Sequence, residues 1–384
     1  MKKKLVILFI VITNTCLAQG NLELRQSDYF TIEQAKEEHA ELAKLYSTKK
    51  EWSERAILIR QGILDGAEIN ELIRNKPVIA TIHSKKTFDG YTVENVFFEA
   101  FEGVYVSGNL YRPTSIKGKV PGILCPHGHG TDPRFMEYTQ QRCATLARMG
   151  AVVFAYDMVG QGNMKQADHK IRNVLKAQLI IGTRSLDFIS QLPEVDKKKL
   201  AMTGESGGGT QTFLLSALDD RISVSVPVVM VSSYFFGGCQ CESGMPIHVR
   251  EHHKTTNVEI TACFAPKPLL LISDGGDWTQ YNPEVEVPHI KRIYSFFDAE
   301  QNIQNVHLPN EKHDYGPSKR QAAYVFLARH LGLEIDKIMV VGQVDESKNT
   351  ICTEEQLSVF NEANPRPKNA AMGNENLMAT IDKY

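Results

Sequence analysis

The sequence predicts an α/β protein with a mostly parallel central sheet and helices on both faces. Two observations carry that reading. Short apolar runs alternate with amphipathic stretches from residue 120 to residue 331. Within that alternation a glycine-flanked serine, Gly204-Glu205-Ser206-Gly207-Gly208, joins an apolar run to a helical one. Composition is in keeping: of 384 residues, 42% are hydrophobic and 23% charged, which excludes disordered, collagen-like and small disulfide-built classes. The formal charge of −2 offers no basic excess for a nucleic-acid partner.

Taken in order, the chain begins with Lys2, Lys3 and Lys4, then the unbroken run Leu5–Ile12 and small residues up to Ala18. A positive segment, a short apolar core and a small-residue end predict a signal peptide over residues 1–18 and an exported protein, periplasmic or secreted. The run is too short for a membrane span. Cys16 offers a second reading, a lipid anchor, against which the preceding Thr13-Asn14-Thr15 counts. Residues 19–84 read as a helical extension, with apolar residues at three- and four-residue spacing in Glu33–Leu45 and Trp52–Leu64. Strand alternation predicts Tyr91–Ala100 and Val104–Tyr111. Strands then follow at Val120–Cys125, Ala151–Tyr156, Leu200–Thr203, Ile222–Met230, Pro268–Ser273 and Asn305–Leu308. Helices separate them at Phe135–Met149, Ile171–Gln191, Gly208–Leu218 and Val287–Phe297, and Lys319–Leu331 closes the series. One α/β domain is therefore placed at residues 85–335. Residues 336–384, with Asn-Pro-Arg-Pro-Lys and no persistent period, read as an extended polar tail without chemistry.

Strand, Gly-x-Ser-x-Gly and helix in succession form the setting of a nucleophile elbow. The turn is tight enough to require small residues beside Ser206, and the helix N-terminus behind it favours developing negative charge. A serine hydroxyl needs a base, and the base an orienting carboxylate. The strand ending at Ser273 leads into Asp274-Gly275-Gly276-Asp277-Trp278; Asp277, farther past the strand end, is the preferred acid, and Asp274 the alternative, read as a loop cap. His313, in the turn before the last helix, is the base. His307, inside a strand, is structural. Two backbone donors complete the set: the amide of Gly207, and that of His129 in Pro126-His127-Gly128-His129-Gly130. Asp157 reads as a carboxylate that fixes its loop. Trp278 and Tyr234, with Tyr138 and Tyr281, lie on loops where they either stack on a substrate or pack. Cys239-Gln240-Cys241, followed by His248, His252 and His253, has neither zinc-finger nor zincin spacing, so neither metal nor cofactor is expected. Cys125 and Cys143 read as buried hydrophobes.

With these residues in place, the sequence resembles the α/β-hydrolase superfamily, and within it secreted bacterial proteins of the acetylxylan-esterase-like and dienelactone-hydrolase-like kind. The resemblance spans residues 50–333 and rests on Pro126–Gly130, Gly204–Thr212, Gly238–Glu242, Gly276–Thr279 and His313–Tyr315. It implies the same Ser206, Asp277 and His313 assignment, an ester substrate such as an acylated polysaccharide, and no cofactor. Three other readings of the scaffold stay open: a peptidase or general carboxylesterase, elimination from a uronic-acid sugar, and a non-catalytic glycan-binding module.

Overall fold

Val152–Tyr156 is apolar at every position, so a strand here must be covered on both faces. A computed structural model describes residues 24–384 and shows how. The signal-peptide reading of residues 1–18 and the lipid-anchor reading of Cys16 lie outside the described residues.

Nine strands form one sheet: β1 Ala80–Thr87, β2 Tyr91–Phe101, β3 Val104–Pro113, β4 Val120–Leu124, β5 Val152–Tyr156, β6 Val195–Glu205, β7 Ile222–Val228, β8 Leu269–Asp274 and β9 Ile303–Leu308. Their order is β1-β2-β3-β5-β4-β6-β7-β8-β9. The first three strands run antiparallel to their neighbours, and from β5 onward every pairing is parallel. Side chains alternate between two cores. Val152, Phe154 and Tyr156 face one side, with α4 (Val174–Gln191) and α5 (Gly207–Leu218). Val153 and Ala155 face the other, with α3 (Glu137–Arg148) and the late helix Pro317–Leu331.

The N-terminal extension is part of this body. Helices α1 (Ile32–Ala43) and α2 (Lys49–Gly66) each start with a capping box, Thr31 with Gln34 and Thr48 with Glu51. Trp52, Ile59 and Ile63 of α2 join the α4/α5 core, and Arg55 pairs with buried Glu259 at 2.6 Å. The extension is not helical throughout, since β1 starts at Ala80 and the expected boundary at residue 84 falls inside it. Its sequence, Ala-Thr-Ile-His-Ser-Lys-Lys-Thr, is mostly polar because it is an edge strand whose side chains are exposed or half-buried.

The expected extended polar tail is also corrected. Residues 336–384 pack back on the sheet, burying Val344, Cys352 and Leu357 against the α3 face, and Leu377 and Ile381 against the α4 face. The Leu357 carbonyl accepts hydrogen bonds from Asn109 and buried Arg134, both at 3.1 Å.

One acid-sensitive contact joins the extension to the core. His39 and His289 lie with ring centroids 4.7 Å apart, and Tyr46 Oη is 2.9 Å from His289 Nε2. Burial holds His39 down to about 4 and His289 to about 3. Between about pH 6.5 and those values the unfolded chain therefore binds protons that the folded chain refuses. Stability contributed by these neutral rings is complete above about pH 6.5 and is lost as pH falls through the folded values. The urea midpoint is expected to drop from pH 7 to pH 5, and the drop to shrink in His39→Leu; an unchanged slope would show that the pair does not report on unfolding.

Candidate active site

Ser206 follows the last residue of β6 at φ 53° and ψ −123°, a positive-φ conformation rare for a residue with a side chain, and α5 starts at the next residue. The turn is held by close backbone packing. A Cβ on Gly204 would lie 2.5 Å from the Pro126 carbonyl oxygen, and one on Gly208 would lie 2.6 Å from the same atom and 2.8 Å from the His127 carbonyl oxygen. Main chain cannot give way as a side-chain tip can. Gly208→Ala is expected to lower stability by roughly 1–3 kcal/mol, read as a reduced Tm; an unchanged Tm would show that the turn is not packed this way.

Glu205 does more than space the motif. Its buried carboxylate accepts the Gly128 amide at 2.8 Å and Arg142 of α3 at 2.9 Å. The residue before the serine thus holds the loop after β4. Arg142 in turn lies over the Tyr315 ring at 4.4 Å, and Tyr315 Oη meets Thr203 Oγ1 at 2.7 Å. Through that bond the loop carrying His313 is tied to the strand carrying Ser206. Glu205 was visible in the sequence only as a variable position of the motif; Arg142 and Thr203 gave no signal.

Of Asp274, the last residue of β8, and Asp277 beyond it, Asp277 meets His313: Nδ1 lies 2.6 Å from Oδ2. Asp277 Oδ1 accepts the Thr279 amide at 2.6 Å and the Thr279 hydroxyl at 2.5 Å, so its carboxylate is fixed in rotation. The side chain is 2% exposed, against 32% for His313, whose other ring nitrogen is left for a reacting group. Asp274 lies apart, accepting the Gly276 amide at 3.0 Å and pairing with buried Lys319 at 3.1 Å. Burial and then the Asp277 charge raise its pKa, and Lys319 opposes both. Among the described residues no hydrogen bond joins Ser206 to His313.

In the loop after β4, His127 is buried, with Nδ1 2.8 Å from the Gly128 carbonyl and Nε2 accepting the Met158 amide at 3.4 Å. The His129 ring covers Gly207, 2.6 Å from where a Cβ there would stand. Asp157 is a buried loop-fixing carboxylate, bound by Arg134 at 2.7 and 3.0 Å and by Ser107 at 2.7 Å. Trp278 stacks on Phe235 with centroids 4.0 Å apart and lies against the His313 ring at 4.5 Å. It therefore packs the imidazole in place. Tyr234 and Tyr281 line an open cleft of about 480 Å³ with Asp277 and Trp278, to which Phe30 and Ile32 also contribute.

The cysteines behave differently from their sequence setting. His248 turns to Asn257 at 2.8 Å, His253 to the Ile247 carbonyl at 3.0 Å, and His252 is exposed. Instead Cys239 and Cys241 meet His129 and His169, with one ligand atom from each within 4.8 Å of all the others. These four could hold a metal ion. His169 was not singled out by sequence, because nothing in its surroundings marks it.

No protein-family model matches the chain. Methylesterase BT1017 is similar in structure, with 40% identity and a TM-score of 0.86 over 93% of this chain and 80% of that one. An acetyl xylan esterase from Paenibacillus sp. R4 (16% identity, TM-score 0.51, 79% of this chain and all of that one) shares the fold. So does a glucuronoyl esterase from Solibacter usitatus (13%, 0.54, 74% and 94%). By sequence, 24% identity over 192 residues links half of the chain to polyketide transferase af380 of Aspergillus fumigatus, of whose length the match spans 60%.

Proposed function

Because the chain belongs to the α/β-hydrolase esterase family that includes methylesterase BT1017, we propose that it is an exported serine esterase that cleaves a carbohydrate ester through an acyl-enzyme on Ser206. The observation that carries the reading is the Asp277–His313 bond of 2.6 Å, held on a loop tied to the Ser206 strand through Thr203 and Tyr315. In the first step His313 Nε2 takes the Ser206 proton as Oγ attacks the ester carbonyl. Asp277 keeps the Nδ1 proton in place and stabilises the imidazolium. The amides of Gly207 and His129 receive the oxyanion, each worth ~3 kcal/mol. His313 then protonates the leaving alcohol, and water, deprotonated by the same nitrogen, releases the acid.

A methyl ester on a sugar carboxylate is the preferred substrate, on the 40% identity with a methylesterase. In that case the acyl part is the sugar itself, and a site that leaves a third of His313 exposed beside an open cleft suits a bulky acyl group. Incubation with methyl-esterified and with acetylated glycans decides the matter. Methanol release supports the proposal, acetate release alone moves the substrate to an acylated sugar, and an unsaturated sugar with neither product overturns ester hydrolysis. Export is tested by the N-terminus of the protein from cells, expected after Ala18.

A further inference from the structure

We propose that His129, His169, Cys239 and Cys241 bind one zinc ion. Their four ligand atoms lie within 4.8 Å of one another, with His129 Nε2 3.0 Å from His169 Nε2 and 3.1 Å from Cys241 Sγ. A tetrahedral ion with bonds of about 2.0 Å to nitrogen and about 2.3 Å to sulfur needs ligand atoms at this kind of spacing. Two imidazoles with two thiolates select zinc over the harder cations.

The outer side of each ring agrees. His169 Nδ1 is 2.6 Å from the Val159 carbonyl, so that nitrogen carries the proton and Nε2 is a bare lone pair facing the cluster. His129 turns Nδ1 toward the Glu242 carboxylate at 3.9 Å. If no ion were bound, the 3.0 Å contact between the two Nε2 atoms would require a proton on His129 Nε2, and an Nδ1–H toward the carboxylate would then need a second proton on the ring. With an ion, both Nε2 atoms are ligands and both Nδ1–H groups face oxygen. The second carboxylate oxygen of Glu242 accepts the Cys239 amide at 2.9 Å, fixing the Cys-x-Cys turn. Cys241 is buried, and the other three ligands are half-buried.

Binding displaces the two thiol protons to solvent and forms two Zn–S and two Zn–N bonds, with no change of oxidation state. All four positions are filled by protein, which makes the ion structural, with no open position for a substrate. It pins together three separate segments: the loop after β4, the loop after β5, and residues 239–241. If the esterase reading holds, the same ion also sets the His129 main chain; the zinc site itself does not depend on that reading.

The test uses the full chain purified without chelator, with zinc measured by mass spectrometry and hydrolysis measured separately. About one zinc per chain is expected. After the zinc is released with a mercurial and replaced by cobalt(II), a tetrahedral visible spectrum with thiolate charge-transfer bands should saturate at one equivalent. Cys239→Ser and His169→Gln should each weaken cobalt binding by more than about tenfold. The native cobalt spectrum stands without any variant if one of them fails to fold. The proposal is overturned by folded protein that takes up no zinc or cobalt, by a mass lower by two hydrogens from a Cys239–Cys241 disulfide, or by variants that bind as tightly as the native chain.

Discussion

Ser206→Ala is expected to lower kcat on the hydrolysed ester by about a million-fold, the loss seen when a nucleophile that acts as a unit with its base is removed. The residue stands at the turn between β6 and α5, at a backbone angle of φ 53°. Because alanine and serine suffer the same backbone strain at that angle, Tm should barely move. Ser206→Gly should lose the same activity yet gain roughly 1 kcal/mol or more of stability by relieving the strain. A fluorophosphonate probe should label the native chain and neither variant. Residual hydrolysis within about a hundredfold of native would remove Ser206 from the mechanism.

The second large effect belongs to Asp277→Asn, expected to cost about 10⁴ in kcat. The direction follows from Thr279. Its amide and hydroxyl both donate to one carboxylate oxygen, so an asparagine would keep its carbonyl there and turn its NH₂ toward His313 Nδ1. The ring would then carry its proton on Nε2 and could not accept one from serine. Asp274→Asn separates this from a general effect on the loop: kcat should stay within about tenfold while Tm falls, since the change leaves buried Lys319 one charged partner fewer. If Asp274→Asn costs more activity than Asp277→Asn, the two roles are exchanged.

The part of the site legible in the sequence is the part built from local structure. Gly204–Gly208 is read from its own neighbours, since strand, tight turn and helix are consecutive in the chain. Asp277 is distinguished from Asp274 by distance past a strand end, a one-dimensional property. What was illegible depends on convergence. Glu205 holds Gly128, and Thr203 meets Tyr315 more than a hundred residues later. His129, His169 and the cysteine pair arrive from three loops, and no spacing records that they meet. The histidines nearest the cysteines in sequence, His248, His252 and His253, gave no metal spacing, and His248 and His253 bond elsewhere. The fold shows the same division. Strands buried on both faces were found, while β1 was missed because an exposed edge strand carries polar residues. The tail was missed because its anchors are few: Leu357 stands apart, and Leu377 and Ile381 make a single four-residue step on the short helix Asn374–Asp382.

That tail bears on how the chain reaches its native state. Arg134 and the Leu357 carbonyl are 223 residues apart in sequence, and the Tyr384 hydroxyl receives the Ile73 amide across 311. Closing such distant contacts costs chain entropy before it returns anything, so refolding should be slow for the domain's size. The same closures tie the loop around Asp157 to residues far downstream, through Arg134. Loosening of the tail therefore withdraws a partner from a buried guanidinium, and the two ends of the body should melt in one cooperative transition.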